Sequence, residues 1–315
     1  MSGTSISVVT ATRNRPQLLR RALLSIKAQT LSDFEVVVVD DGSPAEIQDE
    51  YATLWRELDG RFTLHHASPP GGPGSDPGRG RNFGVRQATG ELVAFLDHDD
   101  YFVREDHLSA AVRAMMQGEA GYYFTHVCFD PPSRDLMWAV EPTRFNGHDR
   151  VGDARAVPID AFLAVMRHSH IHPSHSVVRR SVWERAGGFI EGLRTADDVN
   201  FMLRIADLDP GILYRPDACV GIRMPEGSSF SLASGALAQL LAEVQSMVDI
   251  RARCRRSGVL RCARSRHAYA LRQLALHLRT QGTGEPFRLA AEACAMWPSV
   301  GTVAFLLRTL INPRR

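Results

Sequence analysis

The chain has 315 residues, 44% of them hydrophobic and 23% charged, with a formal net charge of +2; that is the balance of an ordinary globular protein, long enough for one large core with an appendage. No apolar run reaches the roughly 20 residues of a membrane-spanning helix, and no signal peptide is read before the first strand. The five cysteines (Cys128, Cys219, Cys254, Cys262, Cys294) lack CxxC or zinc-ligand spacing, so reduced thiols in a cytoplasmic protein are expected. Lys27 is the only lysine, which excludes a P-loop lysine and a Schiff-base lysine.

Residues 5–10 predict a strand, and Pro16 suits the start of a helix. Leu18, Leu19, Ala22, Leu23 and Ile26 then recur at helical spacing, with Arg20, Arg21 and Lys27 on the other side. Val36, Val37, Val38 and Val39 predict a strand buried on both faces, as in a parallel sheet, and the run ends in Asp40, Asp41, Gly42 and Ser43. A helix over 44–58 and a strand over 61–66 complete a βαβαβ order, the opening of a doubly wound nucleotide-binding sheet. Residues 68–78 are dense in proline and glycine and predict irregular chain, read as a linker in preference to a loop beside a ligand. No Lys-Ser or Lys-Thr follows, so this is not a phosphate-cradling P-loop.

Leu92 to Leu96 predict a buried strand that ends in Asp97, His98, Asp99 and Asp100. Three carboxylates so close repel one another and are costly to bury unless a cation compensates. Hard oxygen ligands at a strand end suit Mg²⁺ or Mn²⁺, which bind through one or two carboxylates plus substrate phosphates. Alone, such a motif reads more readily as a solvated acidic turn; the sheet before it reverses that. His168, His170, His172 and His175 crowd around Pro173, but no cysteine joins them, and a structural or substrate-contacting role is preferred to zinc. Asp197 and Asp198 precede the apolar, helix-patterned residues 201–206, where a helix dipole favours negative charge. Helix capping accounts for one of these acids and leaves the other spare.

In order and spacing these residues resemble the inverting family 2 glycosyltransferases of the GT-A fold, over roughly residues 5–230. Residues 7–16 look like the family's first strand and loop, and residues 28–30, 33–35 and 39–43 like its second signature. Residues 81–84 and 88–91 lead into Asp97-His98-Asp99-Asp100, which looks like its DxD motif. Gly187-Gly188-Phe189 with Ala196-Asp197-Asp198 and Leu203-Arg204 resembles the region of the catalytic base. The resemblance implies an α/β, GT-A type mixed sheet flanked by helices in residues 1–230, with a nucleotide-binding half (1–103) and an acceptor-binding half (104–230). It implies a nucleotide-sugar donor, UDP-linked on family frequency, and Mn²⁺ or Mg²⁺. Asp99 would hold the ion with Asp97, which would also meet the ribose. Asp41 would read the base edge, Thr12 and Arg13 would line the nucleotide, and Arg81 would lie near uracil or diphosphate. Asp198 would take the proton of the acceptor hydroxyl. Many relatives carry an Arg-x-His motif after the base; here the matching residues are Arg223-Met224-Pro225, so that histidine is absent.

Residues 231–315 are expected to form an arginine-rich helical extension. From residue 251 onward thirteen arginines face two acids, Glu285 and Glu292, a net +11 that leaves about −9 for the rest of the chain. Packing on the catalytic domain is one reading of this tail; peripheral contact with anionic lipid or a lipid-linked acceptor is the other. Nucleic acid is not expected, since no nucleic-acid motif accompanies the charge; a homo-oligomer is compatible with the sequence. A haloacid-dehalogenase phosphatase would need its Asp-x-Asp on the first strand, and a pyrophosphorylase would need glycines around Arg13 and Arg15. The serious rival is a non-catalytic relative that binds a sugar nucleotide as a partner or scaffold, motivated by the missing histidine.

Overall fold

Four successive valines set the centre of the fold. In the computed structural model, which describes residues 4–72, 74, 76–132, 140–193, 195–224, 235–282 and 285–311, side chains alternate across strand β2 (Phe34–Asp41). Val36 and Val38 enter one core layer and Val37 and Val39 the other, all essentially inaccessible to solvent. Burying such a side chain is worth about 1.5–3 kcal/mol.

The other strands are β1 (Ile6–Thr12), β3 (Phe62–Ser68), β4 (Leu92–Phe95), β5 (Tyr101–Phe102), β6 (Tyr122–Asp130), β7 (Arg150–Val151), β8 (Ala154–Ala156), β9 (Ser176–Arg179) and β10 (Ile212–Arg223). One sheet runs β3-β2-β1-β4-β9-β6-β10-β8-β7, with β5 beside β10. The first four strands in that order are parallel, β9 is antiparallel to β4 and β6, and β10 is parallel to β6. The sheet is therefore mixed, and the carboxyl ends of β1, β2 and β4 share one edge, where open α/β sheets gather ligands.

Helices α1 (Pro16–Lys27), α2 (Ala45–Trp55), α3 (Pro77–Gln87), α4 (His107–Gln117), α5 (Ile159–Met166), α6 (Arg180–Ala186) and α7 (Asp197–Leu208) flank it. Helix α3 departs from the expectation of irregular chain through residue 78. Pro77 fixes φ in its first turn and Asp76 caps it by accepting from the Arg79 N–H at 2.9 Å. Its glycines serve close approach: a Cβ on Gly84 would stand 2.4 Å from Val9 Cγ1. Strand β3 also runs two residues farther than expected, because its pairing with β2 continues to Asp41↔Ser68.

Among the described residues four further helices follow: α8 (Gly235–Arg253), α9 (Ser257–Thr280), α10 (Pro286–Met296) and α11 (Val300–Ile311). The first two share the core of the sheet, since Met247, Ile250, Cys254, Val259, Cys262 and Ala263 belong to the layer that holds Val37 and Phe95. Among the described residues no helix is long and apolar enough to cross a membrane, and all five cysteines are free thiols. Pro225, Arg314 and Arg315 lie outside the described residues.

Candidate active site

The carboxyl edge of the sheet brings the expected residues to one place. Thr12, the last residue of β1, is buried with its hydroxyl 3.3 Å from the Tyr51 hydroxyl. Asp40 and Asp41 end β2. Asp40 is fully engaged: Ser43 donates to it through its N–H (3.2 Å) and its hydroxyl (2.5 Å), Gln48 donates at 2.6 Å, and His66 Nδ1 lies at 3.3 Å. Asp41 accepts from Ser68 Oγ at 2.7 Å. An open cavity of about 560 Å³ adjoins, lined by Gln48, His66, Ala67, Ser68, Pro69 and Pro70; the acids after β4 lie outside it.

Arg13 does not present an open guanidinium face. Its Nη2 donates to the Gly72 carbonyl at 2.6 Å, and a Cβ on Gly74 would collide with its Nη1 at 1.6 Å. Pro69 O likewise stands 3.1 Å from where a Cβ on Gly42 would be, a residue at φ +82°. The Pro/Gly segment is thus a loop folded against the ends of β1 and β2, where the linker reading placed a mere connection.

Arg81 joins the two halves of the site. Projecting from α3, it donates to Asp97 through Nε (3.2 Å) and Nη2 (2.8 and 2.7 Å), and to Asp197 through Nη1 at 2.9 Å. Such a fork matches carboxylate geometry. Burial alone would raise the Asp97 pKa, but Arg81 and then His172 hold it below the usual range. Asp197, more deeply buried and beside Asp198 and Asp97, is pushed up to about 7 in spite of Arg81. One guanidinium cannot offset two buried carboxylates.

Asp100 is also spoken for. Ser174 Oγ donates to its Oδ2 at 2.5 Å, the Arg223 N–H donates to its Oδ1 at 3.0 Å, and the Asp97 N–H donates to Ser174 Oγ at 3.0 Å. Burial, with Asp99 and Asp97 alongside, pushes its pKa up to about 7 although His172 pulls the other way. Asp99 is half-buried and takes no hydrogen bond or ion pair from the described residues.

The histidines separate into distinct roles. His175 is buried, its Nδ1 2.6 Å from the Thr125 carbonyl and its Nε2 accepting from the His172 N–H at 2.9 Å, and burial depresses its pKa to about 3. His172 stands 3.5 Å from both Asp97 and Asp100, and His170 Nε2 is 3.9 Å from Asp198 Oδ2. Among the described residues the donor atoms close enough to share an ion are those of Asp97, Asp100 and His172, within 4.8 Å of one another. Two carboxylates and an imidazole suit a divalent cation. Asp99 lies outside that group and keeps an open carboxylate next to it. Sequence patterns displayed the His172-Pro173-Ser174 run, but nothing in them aims it at residues some 75 positions earlier.

Asp198 differs from its neighbour. It accepts from the Val199 N–H at 2.7 Å and otherwise faces His170, while Asp197 is committed to Arg81. The pair is set by Ala196, held left-handed at φ +64°, a conformation costing an alanine about 1–2 kcal/mol. Its carbonyl accepts from the Asn200 N–H (3.1 Å) and from Ser246 Oγ of α8 (3.3 Å).

The chain is similar to several known proteins. ExoW of Rhizobium meliloti, a succinoglycan biosynthesis protein, is 43% identical over 117 residues, 36% of this chain and 35% of that one. A Campylobacter jejuni GalNAc(5)-diNAcBac-PP-undecaprenol beta-1,3-glucosyltransferase is 34% identical over 123 residues, 39% of this chain and 36% of that one. These matches span about a third of the relatives' own length. Staphylococcus aureus TarS 1–349, solved with UDP-GlcNAc, superposes with a TM-score of 0.63 at 19% identity, covering 97% of this chain and 79% of that one. The Pyrobaculum calidifontis mannosyltransferase PcManGT, solved with GDP-Man and Mn²⁺, gives 0.59 at 18% identity, covering 99% and 87%. The mixed sheet with flanking helices is therefore the GT-A fold. Residues 7–182, more than half of the sequence, match the family described as Glycosyl transferase family 2, and the chain belongs to that family.

Proposed function

We propose that this chain transfers a sugar, with inversion, from a nucleotide-sugar donor (UDP-linked) to a hydroxyl of a glycan or lipid-linked acceptor in bacterial polysaccharide biosynthesis. Transfer would occur in the cytoplasm at the inner face of the membrane, which the basic C-terminal helices would meet. Residues 1–230 are the catalytic domain in this reading, and residues 231–315 its extension. The observation that carries the proposal is Arg81, whose fork between Asp97 and Asp197 fixes the acidic strand end opposite the helix start that bears Asp198.

Thr12, Arg13 and Asp41 line the nucleotide end, with Asp41 accepting from a base N–H. Asp99 and Asp97, beside Asp100 and His172, would hold Mn²⁺ or Mg²⁺, which when bound offsets the charge that grows on a departing diphosphate. The solved structures of TarS with UDP-GlcNAc and of PcManGT with GDP-Man and Mn²⁺ support this chemistry. Asp198 accepts the acceptor hydroxyl proton as that oxygen attacks the anomeric carbon from the face opposite the leaving nucleotide. A single displacement inverts the centre, and general-base help is typically worth about 10²–10⁴-fold. His170, whose pKa burial lowers, stands ready to share a hydrogen bond with Asp198.

Asp198→Asn is expected to bind UDP and Mn²⁺ like wild type while losing about 10²-fold or more of transfer from UDP-sugars to polyprenyl-linked acceptors. Transfer at wild-type rate by Asp198→Asn, with Asp197→Asn inactive and folded, would move the base by one residue. The rival binding-only reading rests on Arg223-Met224-Pro225, which lacks the histidine of the family's Arg-x-His; wild type that binds UDP-sugars yet neither transfers nor hydrolyses them would favour it.

A further inference from the structure

Helix α11 keeps an apolar stripe on its outer face. Its threonines point inward, Thr302 at 3% and Thr309 at 1% exposure, while Val300 is 89%, Val303 42% and Leu307 50% exposed. The inner hydroxyls are satisfied within the helix region: Thr302 Oγ1 donates to the Trp297 carbonyl at 2.7 Å and Thr309 Oγ1 to the Phe305 carbonyl at 2.8 Å. The outer residues stand at i, i+3 and i+7, one continuous apolar stripe. A helix that simply covers a core presents the opposite pattern.

Positive charge borders this stripe on one flank. Residues 301, 305 and 308 share that side of the helix, being i, i+4 and i+7. Arg308 is exposed there, and Arg272 reaches over from α9, its guanidinium 5.4 Å from the Phe305 ring centre and 3.4 Å from where a Cβ on Gly301 would lie. Neither arginine has an ion pair among the described residues, in contrast to Arg253, Arg256, Arg266 and Arg288 of the same region. No acid occurs after Glu292. At 12 residues the helix is about 18 Å long, well short of a bilayer.

We propose that α11 is an in-plane membrane helix. Val300, Val303 and Leu307 enter the headgroup–acyl boundary of an anionic bilayer, and Arg272 and Arg308 meet lipid phosphates. The stripe is a convex ridge on a single helix, which suits a deformable lipid surface, and the arginines on its flank match anionic headgroups; Glu285, which lies near the inward Thr309, is paired with Arg288. The proposal rests on the reading that the basic C-terminal helices face a membrane, and it names the element that enters it.

The test is sedimentation of the full chain with phosphatidylcholine vesicles, with and without phosphatidylglycerol, alongside its mass by light scattering. Wild type is expected to bind the anionic vesicles only, less so as salt rises. Val303→Glu/Leu307→Glu should weaken that binding by roughly tenfold or more at an unchanged melting temperature, since both residues face outward. Arg272→Gln/Arg308→Gln should weaken it by roughly fivefold per arginine. Wild-type binding by the double Glu variant would overturn the role of α11 and leave the basic surface as the membrane contact. No binding by wild type to either vesicle would overturn both. A wild-type dimer that the Glu pair turns into a monomer, without vesicle binding, would make this face a contact between copies of the chain.

Discussion

At the scale of single residues, the site is decided by which carboxylates are already engaged. Asp40 is taken by Ser43, Gln48 and His66, Asp100 by Ser174 and Arg223, and Asp97 and Asp197 share Arg81. Asp99 and Asp198 remain with room to act. Asp99→Asn should therefore leave UDP affinity without metal unchanged and erase its enhancement by Mn²⁺, read by calorimetry. If Asp99→Asn keeps the enhancement and His172→Ala loses it, the ion is held by the Asp97–Asp100–His172 group instead. The acid runs and their place at strand ends were legible in the sequence, because strand polarity and short spacing are local. The division of labour was not. Arg81 and Asp197 are 116 positions apart and Ser174 and Asp100 74 apart, and nothing in residue type says which acid of a pair will be spent on a buried partner. Arg13 illustrates the same limit: a guanidinium beside a glycine-rich loop can face a base or the loop's own carbonyl, and Gly72 took it.

At the scale of elements, the C-terminal helices brace the acceptor side. Arg266 of α9 donates from Nε to Glu243 of α8 at 2.8 Å and from Nη1 to the carbonyls of Met166 and Ser169, both at 2.8 Å. The second of those carbonyls immediately precedes His170. Asn200 of α7 donates to the Ser246 carbonyl at 3.2 Å and to Asp249 at 3.1 Å, beside the Ser246 contact to Ala196. Two helices thus hold the loop of His170 and the helix start of Asp198 in register. Arg266→Met should cut transfer by about tenfold or more with UDP affinity intact, since misplacement by an ångström is costly to a positioned reaction. It should also destabilise, because Glu243 and the two carbonyls lose their donor; breaking a fully buried pair costs about 3–5 kcal/mol, and this partly exposed one less. Adding Glu243→Leu should return part of the stability without the activity, and full return of activity would show that Arg266 acts only through stability. The helical period of the basic tail was visible in the sequence, as was the valine strand. Its packing was not: Met247 and Cys262 carry no mark that assigns them to the sheet's own core. The first turn of helix α3 was hidden because glycines disfavour helix in isolation, whereas Gly80 and Gly84 are needed for contact with β1 and Gly78 for contact with Phe189 and Ile190.

At the scale of the whole molecule, buried titratable groups set how stability responds to acid. His107, the first residue of α4, lies 1% exposed against Phe102, and its Nδ1 finds no acceptor among the described residues. Burial, then Arg215, lowers its pKa to about 3, against Asp106. The unfolded chain takes up that proton near pH 6.5. Between these values the unfolded state binds more protons, so this contribution is complete above about pH 6.5 and is lost as pH falls towards 3, by about 1.4 kcal/mol per unit. His175 acts with the same sign in the same window. Asp100 and Asp197 act oppositely: raised to about 7, each favours the native state below the ordinary Asp value and loses that advantage as pH rises through 7. The two effects act against each other across the mildly acid range, with His126, His170 and His267, also lowered by burial, on the histidine side. His107→Phe removes one histidine from this balance while keeping a ring against Phe102. Unfolding in urea at pH 7.5 and pH 4.5 should then show the loss of stability on acidification reduced by about 2–3 kcal/mol relative to wild type. An unchanged pH difference would mean that His107 charges as readily in the native state as in the unfolded chain, and that the interior around β5 and α4 admits a proton.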